Sequence, residues 1–221
     1  MMNKLPLFPV TQVGSWPRSQ AMLRAQQDQR KGRINRDEFN RIAENDIVRT
    51  IRLQEEAGVD IVVDGEHRRE NFYSFLTEKL DGTTLHSLAD LLDTVEDKAS
   101  FEEMLTTLDV PASAMFNPTC TGKLNRRESL AVEEFRFVEK QTDKPVKMTL
   151  PGPYLLTRAM WVGQLSKSAY SCKTEMADDI VRILREELRD LRDAGCTFVQ
   201  FDEPVLTEVT LSQENHRRTF M

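Results

Sequence analysis

Between Asn35 and Ala57 the residues Phe39, Ile42, Ala43, Val48 and Ile51 recur at a helical period, with Glu55 the one polar exception on that face. Asn35 can cap this helix, Glu38 stands at capping-box spacing from it, and Gly58 can close the end. A second such stretch, Cys172 to Ala194, carries the stripe Met176, Ile180, Ile183, Leu184, Leu188 and Leu191 and stops at Gly195. After each glycine comes a short run rich in β-branched or aromatic residues, Val59-Asp60-Ile61-Val62-Val63 and Cys196-Thr197-Phe198-Val199-Gln200-Phe201. Both runs read as buried strands.

The rest of the chain follows the same alternation less regularly. Pro9 to Val13 reads as a first strand that ends at Gly14-Ser15-Trp16-Pro17. Pro111 to Thr121 reads as another strand and Asn125 to Glu139 as a helix. Pro145 to Leu150 is a short strand running into Pro151-Gly152-Pro153, where regular structure must end. The stretch 68–108 departs from the pattern: Ser87-Leu88-Ala89-Asp90 looks like a helix start, and Phe101, Met104, Leu105 and Leu108 share helical spacing. It reads as an insertion of short helices.

About five strands with helices between them imply a parallel sheet with helical crossovers. A (β/α)8 barrel and an open doubly wound sheet both satisfy that. No Gly-x-Gly-x-x-Gly loop follows the first strand and there is no Walker sequence, which lowers the nucleotide-binding option. Polar motifs after successive strands favour a TIM-type barrel with its site at the carboxyl-terminal face. Roughly five units do not close eight strands, and the last residues, Leu211 to Met221, suggest no more. The expectation is therefore an α/β chain, one domain over 1–221, holding about the first five βα units of a (β/α)8 barrel with a helical insertion around 68–108.

Composition narrows the partners. Among 221 residues, 36 acidic against 30 basic give a net charge of −6 with no basic block, so nucleic acid and anionic membrane surfaces are poor partners. The N-terminus lacks a signal-peptide pattern and nothing approaches the apolar length of a membrane span. Three widely spaced cysteines, Cys120, Cys172 and Cys196, argue against a disulfide framework and for a reducing cytoplasm. They also lack the short spacing of a structural zinc site, and His67, His86 and His216 form no His-x-x-x-His pair. Cys196 reads as a small core residue, whereas Cys120 is the more interesting thiol.

The candidate chemistry sits at the strand ends. Two strands finish in acidic signatures, Asp64-Gly65-Glu66 and Asp202-Glu203-Pro204. Asp64 and Glu66 face the same way if extended geometry persists through Gly65; Asp202 shares a face with Gln200, and Glu203 points oppositely. Such carboxylates can hold a substrate ammonium, bind a metal or act as acid and base. They can equally close ion pairs with Arg68, Arg69 or helix arginines. Gly14 permits close approach to the backbone, where the Ser15 N–H or hydroxyl can bind a carboxylate; the alternative is an ordinary turn with Trp16 covering the core. Pro151-Gly152-Pro153-Tyr154 is rigid enough to hold a substrate-facing loop, or it only terminates a strand. Tyr154 and Trp161 can stack on a flat heterocycle or simply pack.

Taken in order, Gln12-Val13-Gly14-Ser15-Trp16-Pro17, Val63-Asp64-Gly65-Glu66, Leu150-Pro151-Gly152-Pro153 and Gln200-Phe201-Asp202-Glu203-Pro204 resemble the catalytic-domain pattern of cobalamin-independent methionine synthase, in its short single-barrel members. The resemblance implies a cytoplasmic, TIM-barrel methyltransferase of methionine biosynthesis that uses zinc to activate homocysteine thiolate for attack on 5-methyltetrahydrofolate. It implies that Ser15 contacts the homocysteine carboxylate, that Glu66 and Asp202 hold its ammonium, and that Pro151, Gly152 and Pro153 lie on the folate side. No residue receives a catalytic role. The family's zinc ligands, a His and a Cys close together, a Glu and another Cys, are expected beyond the C-terminus of this chain, so metal ligands within it are expected to be none and the fragment alone to be inactive. The Arg-Cys pair associated with folate is not recognisable around Leu108–Pro111, and Trp161 stands late after the Gly-Pro loop. Related alkyltransferases acting on coenzyme M, and a non-catalytic partial barrel that binds a small amino acid or pairs with another chain, are the alternatives. Exposed barrel edges imply self-association.

Overall fold

In the computed structural model, residues 5–92, 94, 98, 99 and 116–206 are described. Their elements run α1 (Gln20–Arg30), α2 (Arg36–Glu56), β1 (Leu80–Ser87), α3 (Leu88–Leu91), β2 (Phe116–Arg126), α4 (Val132–Glu139), β3 (Lys147–Pro151), α5 (Pro153–Met160), α6 (Gly163–Ser166), α7 (Lys173–Asp193) and β4 (Phe198–Asp202). Short 3-10 turns occupy Ser74–Glu78 and Pro204–Leu206. No helix among these residues is long and apolar enough to cross a membrane. The sequence reads as one domain; backbone contacts divide it into two compact units.

The first unit comprises Met1–Phe72, Ala131–Leu150 and Glu187–Gln200. Helix α2 begins where expected, with the Asn35 side chain accepting the Glu38 N–H at 2.9 Å, and ends at Ala57 before Gly58. Its buried face is Phe39, Ala43, Ile47 and Ile51, with Asp46, Thr50 and Gln54 buried beside them. Phe39 and Ala43 pack with Met22 and Ala25 of α1, a helix that the hydrophobic pattern did not announce. Gln54 explains its own burial: its amide accepts the Val63 N–H at 3.0 Å and donates to the Val63 carbonyl at 2.8 Å, so the helix grips the strand that follows it. Thr11 bridges Ile61 and Val62 bridges Val146, both in parallel, and β3 pairs with β4. The expected parallel sheet is met only in part: the first two strands are reduced to single bridges, and the strand expected over 111–121 is not between Val62 and Val146 but pairs antiparallel in a separate sheet. Leu188 of the expected α7 stripe is only half-buried, while Glu187 is buried and accepts the Ala131 N–H at 2.8 Å at the head of α4.

The second unit comprises Tyr73–Leu130, Pro151–Glu186 and Phe201–Met221. Here the expectation changes most. The stretch read as short helices contains β1, which pairs antiparallel with β2 from Leu80↔Arg126 to Ser87↔Phe116. The helix start at Ser87 is present as α3, with a reciprocal Ser87–Asp90 capping box, but it lasts four residues. The strand expected over Pro111–Thr121 is β2, displaced to Phe116–Arg126; its first expected residues, and the Phe101–Leu108 spacing, lie outside the described residues. It takes the positions read as the start of a helix, which begins only at Val132. Regular structure also resumes at once after Pro151-Gly152, because Pro153 at the first helical position needs no N–H partner and its fixed φ suits a helix. Leu76, Leu80, Leu130, Leu156, Met160 and Ile180 form the apolar centre of this unit.

Candidate functional site

The acidic signature Asp64-Gly65-Glu66 does not continue the strand. Gly65 has φ +75° and Glu66 φ +57°, so extended geometry ends at Gly65 and the two carboxylates do not share a strand face. A left-handed glutamate is strained and needs support. The Glu66 N–H donates to Asp64 Oδ1 at 2.9 Å, and its carbonyl accepts the Arg69 N–H at 3.1 Å and Arg18 Nη2 at 3.3 Å. The Trp16 N–H donates to the Gly65 carbonyl at 3.1 Å, which ties the Gly14-Ser15-Trp16 segment to the same turn.

That turn brings Ser15 and Glu66 into one neighbourhood. A Cβ built on Gly14 would lie 2.5 Å from Glu66 Oε1, so the glycine makes room for the Glu66 carboxylate itself. Close approach at Gly14 was anticipated, but for a ligand rather than for Glu66. Oε1 also accepts the Thr149 hydroxyl at 2.8 Å; Oε2 has no hydrogen-bond partner among the described residues. Ser15 is exposed, and among the described residues neither its N–H nor its hydroxyl is engaged. Glu66 is buried, and its unpartnered oxygen near the unengaged donors of exposed Ser15 suits a zwitterionic amino acid.

The surroundings carry charges of both signs. Arg69 is fully buried and binds Glu134 through two nitrogens, Nη2 at 2.6 Å and Nε at 3.1 Å, and donates to the Thr149 carbonyl at 2.9 Å. Glu66 Oε1 stands 3.9 Å from its Nη1. The alternative of ion pairing is therefore half correct: Arg69 is neutralised by Glu134, Arg68 pairs with Glu44 at 2.8 Å, and Glu66 is only grazed. Burial alone would depress Arg69, but Glu134, Asp64 and Glu66 together raise it. Burial, and next the charge of Glu134, push the Asp64 carboxyl up to about 6; its Oδ2 has no partner. Glu134, Asp64 and Glu66 share the guanidinium of Arg69, and Glu66 also faces that of Arg18.

His67 is turned into the core. Its Nε2 lies 2.8 Å from the Thr50 hydroxyl in the core, and burial lowers its imidazole to about 4. Among the described residues no group of three His, Cys, Asp or Glu is placed to hold a metal. Cys120 is buried in β2 with Sγ donating to the Gly122 carbonyl at 3.2 Å, and burial raises its thiol. Cys196 is buried as expected for a core residue. The described residues do not fit a zinc site.

In the second unit the signature Asp202-Glu203-Pro204 is built differently. Both Glu203 oxygens are committed: Oε1 accepts the Tyr154 N–H at 2.7 Å and Oε2 the Leu155 N–H at 2.8 Å. These are the first free donors of α5, since Pro153 has none. A Cβ on Gly152 would overlap the Glu203 carboxyl. The Gly152 N–H donates to the Asp202 carbonyl at 2.9 Å, so Pro151-Gly152-Pro153 is bound to the acidic signature. Gln200, expected on the Asp202 face, belongs to the first unit, where it accepts Lys147 Nζ at 2.6 Å and donates to the Val13 carbonyl at 2.9 Å. Sequence reasoning missed Thr149, Arg69 as a buried anchor, and the capping role of Glu203. The Pro at the head of α5 was the available signal for the last of these.

A parallel α/β frame with polar groups at its strand ends defines a class of small-molecule enzymes. The comparisons make the class specific. The family model "Cobalamin-independent synthase, Catalytic domain" matches residues 8–221, and the chain belongs to that family. It is 31% identical over 205 residues to the methionine synthase of Thermococcus kodakarensis, covering 92% of this chain and 54% of that protein. It is also 31% identical over 209 residues to the 5-methyltetrahydropteroyltriglutamate–homocysteine methyltransferase of Thermotoga maritima, covering 92% of this chain and 25% of that one. The chain thus spans between a quarter and about half the length of these relatives. A solved B12-independent methionine synthase from Shewanella sp. W3-18-1, in complex with selenomethionine, superposes with TM-score 0.65 at 23% identity over 93% of this chain and 56% of that chain. That likeness gives the fold, α/β of the TIM-barrel type.

Proposed function

We propose that the chain is the amino-acid-binding portion of a methyltransferase of the cobalamin-independent methionine synthase type, which passes the methyl group of 5-methyltetrahydrofolate to the sulfur of homocysteine. In this reading it contributes about five βα units of a TIM-type barrel. One observation carries it: Glu66 is seated against Gly14 with Oε1 held by Thr149 and Oε2 open, next to the unengaged donors of Ser15. The ammonium of homocysteine binds Glu66, and its carboxylate binds Ser15. Asp202 keeps the ammonium-binding role that the family resemblance gives it, and Pro151, Gly152 and Pro153 keep the folate-side role. The zinc of the family is expected on ligands outside the described residues; the residues named here bind and orient the amino acid.

The test is protection against unfolding. Homocysteine at about 100 times its Kd should stabilise the 221-residue chain by about 2.7 kcal/mol, and Glu66→Gln should abolish the effect while the variant stays folded. No protection of the wild-type chain overturns the reading. A methyl-transfer assay from 5-methyltetrahydrofolate with zinc present is expected to be negative for this chain alone. Self-association is part of the same proposal, since Val10 and Val13 in the first unit are 54% and 77% exposed. Sedimentation velocity across a concentration series should show it, and a strict monomer would remove it.

A further inference from the structure

Both oxygens of Glu203 are spent on backbone N–H groups. Its place is over-determined. The opening at Gly152 admits the carboxyl group, Tyr154 and Leu155 donate to it, and the Leu206 N–H donates to its own carbonyl at 3.1 Å. The neighbouring peptide is tied to the same point, because the Gly152 N–H donates to the Asp202 carbonyl at 2.9 Å. Pro151 and Pro153 on either side of Gly152 restrict φ, so the clamp moves little.

We infer that Glu203 is a positioning residue: by locking onto the start of α5 through the opening at Gly152, it sets where Asp202 presents its carboxylate. The inference rests on the proposed function for the ammonium-binding role of Asp202. It gives Pro151-Gly152-Pro153 a task in holding Asp202. Recognition of an ammonium by a carboxylate depends on placement to about 0.5 Å. Tyr154 and Leu155 donate without carrying charge, so the clamp fixes geometry and leaves the charge of Asp202 unchanged.

The experiment compares homocysteine with 4-mercaptobutanoate, which is homocysteine without its amino group, as ligands of the full 221-residue chain. Wild type should bind homocysteine more tightly. Glu203→Gln keeps the shape but turns an amide N–H toward a backbone donor, and Gly152→Ala pushes the intact carboxylate away. Each should weaken homocysteine on the order of tenfold and leave 4-mercaptobutanoate unchanged, with circular dichroism confirming the fold. Glu203→Ala combined with Gly152→Ala should be no worse than the poorer single variant, because both remove one contact. A folded Glu203→Gln chain with wild-type homocysteine affinity, or an equal loss for both ligands, overturns the inference alone. A wild-type chain that fails to distinguish the two ligands overturns the proposed function, and the inference with it.

Discussion

Glu66 in the first unit and Glu203 in the second are near copies as motifs: each follows an aspartate at a strand end, and each carboxylate presses on a glycine from another strand end, Gly14 or Gly152. They differ in what faces them. Glu203 meets two backbone N–H groups at the head of a helix and both oxygens are consumed. Glu66 meets one side-chain hydroxyl and a guanidinium already taken by Glu134, so one oxygen stays open. A carboxylate against a glycine is therefore not a ligand site in itself. The supply of protein donors decides whether it binds the protein or something else.

The strongest test of this contrast is Arg69→Leu. It leaves Glu134 buried without its partner and should destabilise the chain by about 3–5 kcal/mol in urea. A loss below about 1 kcal/mol would mean that the ground around Glu66 is no more built than a surface. Next come the two glutamates themselves, made isosteric. Glu203→Gln should cost about 1–3 kcal/mol, since hydrogen bonds to a charged acceptor are lost at both oxygens, whereas Glu66→Gln, which alters one such bond, should cost less and remove homocysteine binding. Equal costs would dissolve the distinction. Gly14→Ala and Gly152→Ala should each cost about 1–3 kcal/mol by overpacking. In a background of Glu203→Ala the second cost should shrink; if it does not, the glycine is needed for some reason other than Glu203.

The smallest expected effect is in pH dependence, and it probes the turn that holds Glu66. The Asp64 carboxyl at about 6 stands above its unfolded value, so the folded chain keeps a proton that the unfolded chain has lost. Its contribution to stability falls as pH rises from about 4 to about 6. The His67 imidazole at about 4 stands below its unfolded value, so its contribution climbs between about pH 4 and 6.5. In wild type the opposing slopes offset one another. Asp64→Asn should expose the rise and His67→Gln the fall, each by at most about 1.4 kcal/mol per pH unit. Unchanged slopes in both variants would show that neither group titrates where its burial places it.

The long helices were legible because their signals are local; of the two runs after them read as buried strands, one is reduced to bridges at Ile61 and Val62, and β4 leaves Phe198 and Phe201 exposed. A cap at Asn35, a 3.6-residue stripe and a glycine stop act within a few residues, and α2 and α7 fall where that pattern puts them. The motifs at Gly14, Asp64, Gly152 and Asp202 were legible for the same reason, and with them the family. What the pattern concealed depends on residues far apart in sequence. The run Leu80–Ser87 has no apolar alternation of its own and becomes a strand because β2 pairs with it. Gln54, Arg69 and Glu187 look like solvated residues of helices or loops, yet each is buried, and Gln54 and Arg69 are satisfied by partners 9 and 65 positions away.

The site divides along the same line. Sequence alone determined which residue types stand at the strand ends, because strand, glycine and carboxylate follow one another directly in the chain. Only the tertiary structure decided that Glu66 turns back on Gly14 in a left-handed conformation while Glu203 caps a helix. A carboxylate's role is set by the donors within about 3 Å, and residues distant in sequence supply those donors.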